Sequence, residues 1–148
     1  MPEQEPSPPI EIRPATAADD TTIKQMIREA QLDPTSLKWQ NFLIAEVDGK
    51  IAGIGQVKPY PGCEELGSLV TVREMRGKGV GGAIIAALEA RAGRPLYLLC
   101  VDKMEPYYQR FGYQTISWWD APWPLKTKLS FTLPFRLFGI RVLVMQKT

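Results

Sequence analysis

Apolar and polar positions change period along the chain, and each change marks an element. Ile10-Glu11-Ile12-Arg13 alternates before Pro14, which predicts a short half-buried strand. Thr16 or Asp19 can cap a following helix that carries Ile23, Met26 and Ile27 and stops before Asp33-Pro34. Pro34-Thr35-Ser36 opens a shorter helical or turn segment. Residues 42–47 and 51–57 are β-prone runs joined by Asp48-Gly49, a pair that supplies the two positive-φ positions of a tight hairpin. A second turn, Pro59-Tyr60-Pro61-Gly62, leads to a strand over 65–72. The opening order is therefore strand, helix, then three successive antiparallel strands.

Residues 73–76 are charged and break the strand. Gly77, Gly79, Gly81 and Gly82 then lead into an apolar helix over 83–92. Val80, Ile84 and Leu88 recur at i, i+4 with Ile85 beside them, so one face is suited to packing on a sheet. Gly93 and Pro95 end that helix. Residues 96–101 form a near-continuous apolar run, as expected of a strand buried on both faces. A short helix around Pro106 is predicted over 102–110, a strand over 113–119 and a last strand over 140–146. Between these strands, residues 120–139 hold four aromatics and three prolines, an excursion whose structure the pattern leaves open.

Composition narrows the chemistry. The 148 residues carry 18 Lys+Arg against 16 Asp+Glu, a formal charge of +2, with 45% apolar residues. That balance fits one globular domain over 10–148 after a flexible polar tail over 1–9. It gives no field strong enough to imply nucleic acid or an anionic membrane by itself. No run approaches a membrane span, so a cytoplasmic protein is expected. The sequence has no histidine, which excludes a His base, a Ser-His or Cys-His pair and His-ligated zinc. Cys63 and Cys100 cannot form a Cys₄ metal site. Cys100 ends an apolar strand as a small hydrophobe, and Cys63 beside two acids is dulled as a nucleophile. No metal is expected.

Four glycines in six residues at a strand-to-helix junction are costly unless backbone must be left bare. An anion cradle is one reason: a phosphate can approach the free N–H groups of the first helical turn, with Arg76 and Lys78 adding charge. Tight helix–sheet packing is another. The spacing fails the P-loop pattern, because Val72 and Gly79 stand where Gly and Ser/Thr are required. Gly77, Gly79 and Gly82 match G-x-G-x-x-G, and Asp102 comes later at a strand end. The preceding hairpin meander and the lack of a later βαβ unit argue against a dinucleotide fold.

Arg76-Gly77-Lys78-Gly79-Val80-Gly81 also matches [RQ]-x-x-G-x-[GA], and here the sequence resembles the GNAT acyltransferase superfamily. Leu69-Val70-Thr71 stands at the place of the family's L-x-V strand end, with Thr for Val and Arg73 for the usual Pro. About thirty residues on, Asp102 to Tyr113 aligns with N-x-x-A-x-x-Y-x-x-x-G-[FY]. Tyr108, Gly112 and Tyr113 match, while Asp102 replaces Asn and Glu105 replaces Ala. The resemblance implies a mixed α/β fold: a mostly antiparallel sheet of about six to seven strands, splayed between the fourth and fifth, with about four flanking helices.

It also implies an N-acetyltransferase that uses acetyl-CoA. The pyrophosphate would rest on Arg76, Gly77, Lys78, Gly79, Val80, Gly81 and Gly82, and the pantetheine would pair with Leu69, Val70 and Thr71. Asp102 and Tyr108 complete the implied cofactor set. An amine would attack the thioester directly, with no acyl-enzyme. A lysine-like amine must first lose a proton at a cost of about 4–5 kcal/mol at neutral pH, so a base or a water relay is useful. Glu65 occupies the place of the catalytic glutamate of histone-type members, with Glu64 as fallback; Tyr108 matches the tyrosine that protonates the departing CoA sulfur. A CoA-binding module without catalysis, or a NAD-type binder, are the rival readings. Trp118, Trp119 and Trp123 fit packing under a loop or an acceptor pocket. Lys126, Lys128, Arg136 and Arg141 read as solvated charges. The apolar C-terminal stretch leaves a homodimer open.

Overall fold

In a computed structural model, residues 8–148 are described. The reading of residues 1–9 as a tail therefore falls, apart from Pro8 and Pro9, outside them. The strands are β1 (Glu11–Pro14), β2 (Phe42–Val47), β3 (Lys50–Tyr60), β4 (Cys63–Thr71), β5 (Leu96–Val101), β6 (Gln114–Ile116) and β7 (Val142–Lys147). Four helices accompany them: α1 (Asp20–Glu29), α2 (Val80–Arg91), α3 (Glu105–Gln109) and α4 (Trp123–Ser130). The seven strands take the order β1-β2-β3-β4-β5-β7-β6. Pairs β1–β2, β2–β3, β5–β7 and β6–β7 are antiparallel, and β4–β5 is parallel. This is the mixed, mostly antiparallel α/β architecture expected from the sequence.

Local chemistry explains most boundaries. Asp48 and Gly49 take φ of 53° and 74°, so the hairpin closes with Val47 opposite Lys50. The parallel β4–β5 ladder pairs Glu65 with Tyr97 and Leu66 with Leu98. Two residues later Ser68 sits at φ 54°, a left-handed position that interrupts regular strand geometry. The strand expected over 113–119 ends at Ile116, because Ser117 caps a 3-10 turn over Trp118–Asp120 by accepting from the Trp119 N–H at 3.3 Å. Helix α2 starts at Val80, earlier than its apolar run suggested, so Gly81 and Gly82 lie inside it. The segment at Pro34 holds a turn with Ser36 at φ 57°, succeeded by a 3-10 turn over Trp39–Asn41.

The chain divides into two compact units. One holds the residues up to Gln56 together with Ser68–Leu88; the other holds Val57–Gly67 and Glu89–Thr148. In the first, Ile23 and Ile27 of α1 pack with Phe42, Ile44 and Ile54. On β3, a Cβ at Gly53 would meet Ile84 Cδ1 and Val80 Cγ1 at 2.9 Å, and one at Gly55 would meet Ile84 Cγ2 at 2.8 Å. Only glycine lets the buried Val80–Ile84 face of α2 lie this close to the strand. In the second unit, Leu125 and Leu129 of α4 pack with Ala121 and Val144. There Glu89 accepts from Lys147 Nζ at 3.0 Å and from the Tyr113 hydroxyl at 2.9 Å.

Asp19 ties β1 to the start of α1. Its carboxylate accepts from Arg13 at 2.8 and 3.0 Å and from the Thr16 N–H at 2.7 Å. The Arg13 hydrogen bond, outweighing the burial that opposes ionisation, lowers its pKa from 3.8 to about 2. A depressed carboxylate contributes stability that is present above its ordinary value and is lost as pH falls toward 2. Asp19→Asn is therefore expected to lower stability at pH ~7 by on the order of 1–2 kcal/mol and to flatten the acid limb below pH ~4. Urea midpoints across that range test it; an unchanged acid limb contradicts it.

Candidate active site

The glycine loop takes its shape from the turn at the end of β4. A 3-10 turn over Arg73–Met75 leads to Arg76 in extended geometry, then to Gly77 at φ 77° and Gly79 at φ 84°. Residues with a Cβ rarely hold such angles, and glycine does so without strain. A Cβ added at either position would meet nothing within 4 Å, so the bare backbone opens outward. The first helical bond at this end runs from the Ala83 N–H to the Gly79 carbonyl at 3.0 Å. Among the described residues, the N–H groups from residue 77 to 82 have no main-chain acceptor. They form the positive end of α2, a geometry suited to an anion. The exposed Arg76 and Lys78 border it, and Arg76 Nε reaches the Thr71 carbonyl at 3.5 Å. Leu69, Val70 and Thr71 are half-buried at the end of β4, and the adjoining Val72 N–H donates to the Ala52 carbonyl at 2.9 Å. The loop and this strand end belong to the same unit.

Glu65, Asp102 and Tyr108 belong to the other unit. Glu65 is 2% exposed, and its two carboxylate oxygens accept from Lys128 Nζ at 2.8 and 2.9 Å. The same ammonium donates to the Tyr60 hydroxyl at 3.1 Å. Burial pushes the lysine pKa down, but the charge and hydrogen bonds of Glu65, with Tyr60, raise it overall. Lys128 is thus not the solvated charge its sequence context suggested. The pairing escaped sequence reading because 63 residues separate the partners. Glu64 is engaged as well: Oε1 accepts from the Gly93 N–H at 2.9 Å.

Asp102 is exposed, opens the 3-10 turn Asp102–Met104 and donates its N–H to the Arg141 carbonyl at 2.9 Å. Tyr108 lies half-buried on α3, edge-on to Tyr107 at 5.1 Å and to Tyr113 at 6.3 Å between centroids. Its hydroxyl has no hydrogen-bond partner among the described residues. Burial raises its pKa, with smaller contributions from Cys100 and Tyr107, so it stays a protonated donor at neutral pH. Burial likewise pushes the Cys100 thiol up to about 11, and raises Cys63 ahead of the nearby charges of Glu65 and Glu64. Neither thiol is poised as a nucleophile. Trp119 and Trp123 stand in solvent, not under a loop as the sequence suggested. The described residues contain no group of three or more Cys, Asp or Glu able to hold a metal.

A family model described as "Acetyltransferase (GNAT) domain" matches residues 38–115, just over half of the chain and the stretch that carries the glycine loop and Tyr108. The chain belongs to the GNAT acetyltransferase family. A search of curated proteins found no match. Solved structures share the GNAT fold at low identity. N-acetylglutamate synthase from Neisseria gonorrhoeae, complexed with coenzyme A and N-acetyl-glutamate, superposes with a TM-score of 0.77 at 21% identity, covering 93% of this chain. The alignment takes in 34% of that protein, so this GNAT chain spans about a third of its length. Rv2747 from Mycobacterium tuberculosis, in complex with CoA and NLQ, gives 0.75 at 19% identity over 93% of this chain and 98% of its own. ElaA from Escherichia coli gives 0.68 at 13% identity over 95% and 100%.

Proposed function

We propose that this GNAT protein binds acetyl-CoA and transfers its acetyl group directly to a primary amine, with no acyl-enzyme. The observation that carries the reading is the loop of residues 76–82: outward-opening glycines and N–H groups without acceptors at the start of α2. Such a nest suits a diphosphate, and Arg76 and Lys78 add two positive charges. The CoA complexes of two fold neighbours support the same cofactor. In this reading Leu69, Val70 and Thr71 offer main-chain partners to the pantetheine amides, and Asp102 contributes from the 3-10 turn that precedes α3. Tyr108, a protonated phenol without a competing acceptor, gives its proton to the departing CoA thiolate.

The incoming amine must shed a proton. Because Glu65 has both oxygens on Lys128, we assign that step to a water relay and Glu65 to holding the ammonium.

Separate thermal unfolding runs with acetyl-CoA and with NADH test the cofactor. A rise in Tm with acetyl-CoA alone is expected, and a rise with NADH alone overturns the reading. A panel of primary amines scored for CoA release then identifies the acceptor; binding without release from any amine leaves a cofactor-binding module. Tyr108→Phe is expected to reduce kcat by roughly 100-fold while the Kd for CoA changes by less than about twofold. Weaker CoA binding at unchanged turnover gives Tyr108 a packing role instead.

A further inference from the structure

Residues 118–141 carry most of the exposed apolar surface among the described residues. Nine of the twelve exposed large apolar side chains among the described residues lie there. Leu137 is 87% exposed, Phe138 79%, Trp119 78%, and Trp123 and Phe131 77% each. The packing of α4 explains this. Leu125 and Leu129 turn into the core, whereas Trp123 and Phe131, near its two ends, remain in water. The next 3-10 turn, Leu133–Phe138, buries none of its residues. Scattered apolar residues on a surface are ordinary, but a run of this density marks an interaction face.

Charge specifies what covers it. No Asp or Glu occurs after Asp120, whereas five basic residues do: Lys126, Lys128, Arg136, Arg141 and Lys147. Lys128 and Lys147 are paired with Glu65 and Glu89. Lys126, Arg136 and Arg141 have no acidic partner among the described residues, and Lys126 lies 5.2 Å from the Trp118 ring centre. Arg136 and Arg141 share a cleft of about 280 Å³ with Trp118, Leu129 and Leu133. They also border a second recess of about 350 Å³ with Gly139 and Ile140.

We propose that this face docks on the surface of an anionic phospholipid bilayer. The aromatic and aliphatic side chains enter the boundary between headgroups and acyl chains, and Arg136 and Arg141 face lipid phosphates. Trp and Phe alternating with Lys and Arg on a short segment suit an interfacial position, and a face where Lys126, Arg136 and Arg141 outnumber the single acid Asp120 answers a negative one. A second copy of the chain fits poorly. A twofold contact through this face would bring Arg136 and Arg141 toward their own equivalents, with Asp120 the single acid in the segment to receive them. No helix among the described residues is long and apolar enough to cross a membrane, so the docking is peripheral.

Sedimentation of the full chain with vesicles, in the absence of acetyl-CoA, reads this property independently of acyl transfer. With about 30% phosphatidylglycerol in phosphatidylcholine the protein is expected to pellet, with partition into pure phosphatidylcholine at least about tenfold weaker. Leu137→Ser with Phe138→Ser, and separately Arg136→Gln with Arg141→Gln, should each weaken partition about tenfold at unchanged Tm, since these side chains are exposed. Protein left in the supernatant with the anionic vesicles overturns the proposal, as does equal pelleting of wild type and variants. A dimer at micromolar concentration that Leu137→Ser with Phe138→Ser converts to monomer also overturns it, because the face then belongs to a second copy.

Discussion

Lys128→Met is expected to destabilise the protein by about 3 kcal/mol. The substitution removes the ammonium that holds both oxygens of Glu65, leaving a carboxylate with 3% side-chain exposure to find other compensation. It also removes the donor to the Tyr60 hydroxyl. Taking both charges away together behaves differently, since an apolar pair of similar volume incurs no desolvation cost. Glu65→Leu with Lys128→Met should therefore recover most of the loss, giving a coupling energy of about 2 kcal/mol or more in a double-mutant cycle. Urea unfolding of the four proteins measures it, and additive losses would remove the ion pair as an explanation.

The same set of proteins decides the role of Glu65. If the carboxylate only holds Lys128, the double variant keeps its turnover per folded molecule within about threefold. A fully folded double variant whose turnover collapses would return proton abstraction to Glu65. Alkaline titration gives a second reading. The Lys128 pKa is raised above its ordinary 10.5, so its contribution is present below that value and is lost only as pH climbs past it. Wild type should thus lose its advantage over the double variant at strongly alkaline pH and not in the neutral range.

Local chemistry made much of the framework legible. Asp48-Gly49 can hardly serve any purpose but a tight turn, and strands β2 and β3 flank it. The run over 96–101 is β5 to the residue, but it is not buried on both faces as expected: Leu96, Leu98 and Cys100 are buried, Tyr97 and Leu99 only half-buried and Val101 exposed. Val80, Ile84, Ile85 and Leu88 are the buried face that their spacing indicated. What stayed hidden depends on distance along the chain. Gly53 and Gly55 read as ordinary members of a β-prone run, because the side chains of Val80 and Ile84 that exclude a Cβ come from another element. Glu65 and Lys128 carry no local signal of each other. Residues 120–139 looked irregular because Pro122, Pro124 and Pro134 interrupt them. Two of these prolines lie in the first turn of a helical segment, where the missing N–H costs nothing. Read as start signals and not as breaks, they would have located α4 and the 3-10 turn after it.

Gly79→Val is expected to abolish acetyl-CoA binding, weakening the Kd by about 100-fold or more while the fold persists. The position needs φ 84°, which a β-branched residue reaches only at a cost on the order of 1–3 kcal/mol. No neighbour lies within 4 Å of the added Cβ, so the penalty is conformational and confined to the loop. Relaxing that strain rotates the peptide planes on either side and turns the N–H groups at the start of α2 away from a common focus. The buried residues Val80, Ile84 and Leu88 continue to anchor the helix, so far-UV circular dichroism should be unchanged and Tm lowered by only a few degrees. Lys78→Ala separates backbone from charge: it leaves the nest intact and should weaken binding only several-fold, more at low salt than at high. Isothermal titration of the three proteins with acetyl-CoA distinguishes these contributions. Tight binding by Gly79→Val would show that the cofactor is held elsewhere, whereas a larger loss from Lys78→Ala would give the site to side-chain charge and not to the backbone amides.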